Sequence, residues 1–187
     1  MSTRTLKPDT NRIYFCTFTC YDWLPLFEIT NFYEKIYDWF NILEKHGNKI
    51  TGYVIMPNHL HFLIYITDKS PIINKLIANG KRFMAYEIVA RLKAQNEFSI
   101  LKRLEDGVPI TERAKGKKHQ IFQSSFDAKP CVSRDFLLQK LHYLHHNPVS
   151  GKWNLVEDYA KYAHSSAGFY ETGEQGMFKV THYMDLI

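Results

Sequence analysis

Apolar and polar positions repeat along the chain with two different periods, and these separate strands from helices. Ile13 to Cys20 (IYFCTFTC) is a β-branched and aromatic run that predicts a first strand. Asn31 to Glu44 instead sets Phe32, Ile36, Trp39, Phe40 and Leu43 at helical spacing, and His46-Gly47-Asn48 supplies the turn that ends the helix. Lys49 to Met56 reads as a second strand. Pro57-Asn58 interrupts it, and His59 to Thr67 (HLHFLIYIT) reads as a third. Ser70 as N-cap with Pro71 in the first turn predicts a long helix to about Gln95, with Ile73, Leu76, Ile77, Met84 and Ile88 on its buried side. Glu105 to His119 is polar and holds Gly107 and Pro109, so a mobile loop is expected there. Gln120 to Phe126 is the expected fourth strand. Ser133 caps a helix from Arg134 to about His146, which Asn147-Pro148 ends because proline disfavours helix in the residue before it. The order β-α-β-β-α-β-α predicts an α+β sandwich, an antiparallel sheet with helices on its faces. Beyond Val149 the pattern weakens to short segments held by Trp153, Tyr159, Tyr162 and Phe169.

Composition narrows the class. The chain has 187 residues, 45% of them apolar and 15% aromatic, which excludes disorder as its overall state. With no repeat or linker, the expected organisation is one domain over 1–150 and a C-terminal extension, 151–187, packed on it. No apolar run reaches the roughly 18 residues that span a bilayer, and Met1 to Arg12 is polar, without a secretory apolar core. Cys16, Cys20 and Cys131 lack metal-type spacing, and so few, odd-numbered cysteines point to reduced thiols in a cytoplasm. A net charge of +5 with many aromatics is compatible with nucleic acid without demanding it.

Three groups of residues carry candidate chemistry. His59 and His61 flank Leu60, so on a strand both imidazoles point the same way and can converge on one metal ion. Leu60, Phe62, Ile64 and Ile66 take the other face, leaving the histidine face free for chemistry. The alternative is two histidines on the wetter face of a half-buried strand. On the helix Arg134 to Asn147, Leu137, Leu141 and Leu144 form the core stripe. Phe136, Lys140, Tyr143 and Asn147 form a second line about 100° away. Were that line to meet the histidines, two nitrogens, an amide oxygen and a phenol would surround one point. Tyr143 would then be placed as a nucleophile, with Lys140 beside it. Equally, Tyr143 is one of 12 tyrosines, most of which are expected at core edges. His142, His145 and His146 fall on other faces and read as a polar surface. On the long helix, Lys75, Asn79, Arg82, Tyr86 and Lys93 share one side, while Lys81 and Arg91 lie off it. With Arg113, Lys115, Lys117 and Lys118 they read either as a phosphate-gripping surface or as an ordinary solvated face.

These residues resemble a known family. Val54-Ile55-Met56-Pro57-Asn58-His59-Leu60-His61-Phe62-Leu63-Ile64 resembles the His-hydrophobic-His (HUH) signature of the IS200-like tyrosine transposases. Tyr143-Leu144-His145-His146-Asn147-Pro148-Val149, followed by Gly151, resembles the motif of their REP-associated branch. His164-Ser165-Ser166 resembles that branch's Trp-Ser-Ser motif, without the tryptophan. Phe15 to Thr19 and Pro25-Leu26-Phe27 resemble its opening strand and turn. The likeness runs from about residue 12 to 170.

The resemblance implies a ferredoxin-like fold and a single-strand DNA endonuclease and transposase that cleaves and rejoins DNA beside hairpins. It implies Tyr143 as nucleophile, forming a 5′-phosphotyrosine, and Mg²⁺ or Mn²⁺ held by His59, His61 and Asn147. It implies hairpin DNA as partner, bound through Lys75, Arg82, Tyr86, Lys93, Arg113, Lys115, Lys117, Lys118 and Lys140. The nearness to the REP-associated branch implies a monomer rather than a tyrosine-exchanging dimer. Two other classes remain: a hairpin-binding protein without turnover, and an RNA-binding module of ferredoxin-like shape.

Overall fold

The computed structural model describes residues 11–124, 126–151 and 153–186. The polar stretch before Asn11 lies outside the described residues, as does Ser125 within the expected fourth strand. Period-two alternation gives strand β1 (Arg12–Thr19) two faces: Tyr14, Cys16 and Phe18 enter one core, Ile13 and Phe15 another. Strand β2 (Lys49–Met56) and strand β3 (His59–Ile66) are sorted the same way. A register shift between Ile50 and Gly52 returns Ile50 to the first face. Strand β4 (Asp127–Pro130) completes the sheet in the order β2–β3–β1–β4, every pair antiparallel. This is the ferredoxin-like arrangement.

The first face carries an aromatic core under helices α2 (Tyr33–Lys45) and α3 (Ile73–Ala94); helix α1 (Leu26–Ile29) is a single turn before them. Phe18, Trp39, Phe40 and Phe62 meet there at ring separations of 5.4–6.5 Å. Each such ring contributes about 1.5–3 kcal/mol through burial. The two helices approach closely because Gly80 has no side chain: a Cβ there would lie 2.5 Å from the Trp39 ring. The second face holds a smaller core under helix α6 (Arg134–His146).

Two expectations need correction. The segment 105–119 is not a plain loop. Helix α4 (Phe98–Asp106) runs into it, because Leu101 and Leu104, one turn apart, are both buried. Helix α5 (Ile110–Arg113) follows, the Glu112 and Arg113 amides bonding back to the Pro109 carbonyl. The fourth strand is also displaced. Ile121 and Phe122 do not ladder along β1 but fold round its end. Tyr21 donates to the Ile121 carbonyl, and Phe122 bridges Cys20, so both apolar side chains enter the first core. After a single bond from the Gln123 amide to the Thr19 carbonyl, the ladder with β1 starts at Asp127, opposite Thr17.

The stretch after Val149 lies along the free side of β2. Ile55 donates to the His164 carbonyl, Ser166 to that of Tyr53 and Thr181 to that of Ile50. Helix α7 (Ala167–Thr172) sits between these points, and Phe178 and Val180 enter the first core. The three cysteines are unbridged; burial raises the Cys16 and Cys20 thiols well above their ordinary range and Cys131 to about 11. Among the described residues no helix is long and apolar enough to cross a membrane.

Candidate functional site

His59 and His61 project from the second face of β3, opposite Thr19 and Thr17 of β1. That face is not open, as the sorting of apolar residues suggests, but roofed by α6, and each histidine is only 5% exposed. The helix starts where Ser133 Oγ accepts the Phe136 amide at 3.2 Å. It is seated by Leu137, Leu141 and Leu144. Gly52 lets it settle: a Cβ there would stand 2.9 Å from a Leu141 methyl.

Seated in this way, the neighbouring line of α6 reaches the histidines. The Tyr143 ring lies 5.2 Å from that of His61 and 6.1 Å from that of Phe15, yet Tyr143 is 49% exposed. Asn147 Oδ1 lies 3.2 Å from His59 Nε2. Lys140 Nζ stands over the rings of Phe136, Phe15 and Tyr143 at 5.1–5.7 Å. A phenol, two imidazoles, an amide and an ammonium thus converge from β3, α6 and the residue that caps α6.

The imidazoles are neutral at pH 7. Burial lowers His59 to about 4, against a smaller opposing effect of Asn147. Burial, then the nearby His59 and Lys140, lowers His61 to about 3. Neutral His59 has one N–H to donate. Asn58 Nδ2 donates to the Trp23 carbonyl at 2.9 Å, which turns Asn58 Oδ1 onto His59 Nδ1 at 2.7 Å. With a single N–H between two amide oxygens, Asn58 Oδ1 and Asn147 Oδ1, one ring nitrogen of His59 is left with a bare lone pair against an acceptor; Asn147 Nδ2 is itself engaged, donating to the Tyr143 carbonyl. Two acceptors facing each other are unfavourable until a cation joins them. Two imidazole nitrogens and an amide oxygen are a donor set that suits a divalent ion, and the bonds to Asn58 and Thr17 behind the rings are of the kind that orient metal-binding histidines. Among the described residues no three His, Cys, Asp or Glu side chains form such a group; here the third donor is an amide.

The remaining histidines of α6 separate. His145 is buried, not on a polar surface: its Nε2 meets Ser166 Oγ at 2.9 Å, and burial lowers it to about 3. His142 and His146 stack at 3.8 Å on the outside, His146 against Tyr159.

The basic residues divide into three groups. Arg82, Tyr86 and Lys93 of α3 face Lys115, Lys117 and Lys118 across a groove of about 750 Å³ on the first face of the sheet. Lys140 belongs to the α6 cluster on the other face. Lys75 and Arg113 lie outside the groove, and Arg113 donates to the Glu105 carbonyl. Lys115 pairs with Glu112 at 2.7 Å. Lys81, which the helical wheel sets aside, lines the groove. It donates to the Gln123 carbonyl at 2.9 Å, and burial, then Lys117, lowers it to about 8. Sequence reasoning also passes over Asn58, Thr17 and Trp23. Their bonds to ring nitrogens and to one another have no periodic signature; Asn58 alone, next to the histidine pair, carries a positional hint.

No protein-family model and no curated protein matches the chain. Among solved structures it is similar to a REP-associated tyrosine transposase bound to a REP hairpin. The identity is 14%, the TM-score 0.62, and the match covers 97% of this chain and 92% of that one. A candidate transposase from Deinococcus radiodurans R1 matches 72% of this chain and 88% of its own at 15% identity and a TM-score of 0.41. Across nearly its whole length, then, the chain has the fold of a REP-associated tyrosine transposase.

Proposed function

We propose that this protein is a tyrosine transposase that nicks and rejoins single-stranded DNA beside hairpins. The observation that carries the reading is the docking of α6, which sets the Tyr143 ring 5.2 Å from His61 and Asn147 Oδ1 3.2 Å from His59 Nε2. The likeness in fold to a hairpin-bound transposase supports the same reading. Tyr143 Oη attacks a backbone phosphorus. The bond from that phosphorus to the 3′ oxygen breaks, leaving a 5′-phosphotyrosine and a free 3′-OH. A second 3′-OH then attacks the phosphotyrosine, releases Tyr143 and restores a phosphodiester, so no nucleotide hydrolysis is needed. His59, His61 and Asn147 hold Mg²⁺ or Mn²⁺, which when bound supplies Lewis-acid polarisation of the phosphate.

A free phenol ionises near pH 10, so the nucleophile needs stabilisation of its anion. The Lys140 ammonium, 5.7 Å from the centre of the Tyr143 ring, is the nearby side chain that brings positive charge to the phenol. The buried, neutral imidazoles keep their lone pairs available at pH 7. All these groups come from one chain, and α6 rests on its own sheet through Leu137, Leu141 and Leu144. This packing supports a reading in which Tyr143 acts in cis, in a monomer. The groove between α3 and residues 115–118 takes the duplex stem through phosphate contacts.

The test is incubation with DNA hairpins carrying single-stranded ends, with Mn²⁺ or Mg²⁺, followed by denaturing electrophoresis. A covalent protein–DNA adduct is expected, and Tyr143→Phe abolishes it while hairpin binding persists. Cleavage by the Phe variant would remove Tyr143 from the mechanism. Binding without an adduct in either metal would make the protein a hairpin binder instead.

A further inference from the structure

The 3-10 turn Tyr21–Trp23 links the two sides of the sheet. Tyr21 donates to the carbonyl of Ile121, in the segment that lines the basic groove. Two residues on, the Trp23 carbonyl accepts from Asn58, whose oxygen faces His59. The Trp23 ring stands edge-on to that of His59 at 6.0 Å. Trp23 thus marks the corner between the groove on one face and the imidazoles on the other.

Its conformation is unusual. Asp22 and Trp23 have φ of 53° and 56°, consecutive left-handed residues without a glycine. Arg103 fastens Asp22 through its guanidinium, Nε at 2.8 Å. The indole held by this turn is 53% exposed, whereas Trp39 is packed in the core. Backbone strain of this kind collects at ligand clamps. Here it fixes a large flat apolar surface in solvent beside the candidate chemistry.

We propose that Trp23 is a stacking platform for one unpaired nucleobase, in the strand leaving the groove-bound stem for Tyr143. The inference rests on the proposed function, and the corner position selects the occupant. A strand running from the groove to the phenol passes this turn, and any base has a face to offer an indole. The turn's hydrogen bonds use main-chain atoms of Trp23, so the ring is free to change identity without releasing Asn58.

The test uses the full chain without divalent metal, so that only binding is read. Fluorescence anisotropy compares a DNA hairpin bearing a single-stranded extension, the same hairpin with blunt ends, and oligothymidylate. Wild type should prefer the extended hairpin. Trp23→Ala should weaken its binding by about ten- to a hundredfold and bring the extended-to-blunt ratio near one. Trp23→Phe, which keeps a ring, should restore most of the preference. An abasic site scanned along the extension should cost wild type affinity at one position and cost Trp23→Ala nothing there. An unchanged ratio in Trp23→Ala overturns the platform. If wild type binds no hairpin, the proposed function fails, and oligothymidylate decides the platform alone. Weaker binding by Trp23→Ala supports it; equal binding, or none by wild type, overturns it. Circular dichroism of both variants checks that the fold is intact.

Discussion

The two faces of the sheet are built for different ends. The first is sealed by two helices over interlocking aromatic rings. The second has one helix resting on three leucines, with two imidazoles beneath it and a half-exposed phenol at its side. Each face has a glycine at its point of closest approach. Gly80 seats α3 on the rigid Trp39 ring, and Gly52 seats α6 on the flexible end of Leu141. Packing is unyielding against the Trp39 ring and compliant against the end of Leu141.

Removing a ring from the rigid face should give the largest effect. Phe62→Ala leaves a cavity among Phe18, Trp39 and Phe40 and should cost about 3–5 kcal/mol in urea unfolding. A smaller loss than that of Leu141→Ala would reverse the ranking of the faces.

Acid attacks the other face. His59, His61 and His145 lie on it, with folded-state values of about 4, 3 and 3 against 6.5 in the unfolded chain. Below 6.5 the unfolded state binds protons that the folded state refuses. Their stabilisation is therefore complete above 6.5 and is lost as pH falls through about 4 for His59 and about 3 for the other two. Each should cost about 1.4 kcal/mol by one unit below 6.5. Unfolding free energies measured across this range should lose one such contribution, about 1.4 kcal/mol at one unit below 6.5, in His145→Gln. A flat profile would mean that the imidazoles are protonated in the fold.

The two glycines sharpen the contrast. Gly80→Ala drives a methyl into an indole fixed on several sides and should cost about 1–3 kcal/mol, read as a lowered Tm. In Gly52→Ala the one close contact is a leucine terminus, which can rotate, while Leu63 and Ser166 stand at ordinary contact distance, so the stability loss should stay within about 1 kcal/mol. Because α6 carries Tyr143, its adduct yield should fall further than its Tm implies. Equal effects of the two substitutions on stability would mean that α6 is held as rigidly as α3.

Much of this was legible from periodicity. The alternation in β1 and β3 places His59 and His61 on one face, and the helical spacing of Leu137, Leu141 and Leu144 places Tyr143 and Asn147 beside them. What periodicity hides is contact between elements. The apolar pair Ile121-Phe122 advertises a strand, but it buries by wrapping the end of β1. The actual strand, Asp127–Pro130, has no β-forming pattern and pairs only because its neighbour offers an open ladder. Helix α4 carries its signal in Leu101 and Leu104, masked by polar neighbours. The roof over the histidines, the Asn58 and Thr17 bonds and the strained turn at Trp23 depend on partners far apart in the chain.

The C-terminal segment along β2 has a consequence for solubility. Strand β2 would otherwise be a long apolar margin able to recruit strands from neighbouring molecules. His164, Ser166 and Thr181 occupy its hydrogen-bonding groups at three points, and the opposite margin is only four residues long, with charged Asp127 and Lys129 and a closing proline. Both borders of the sheet thus resist polymerisation, and a chain cut before His164 would expose an adhesive rim and precipitate.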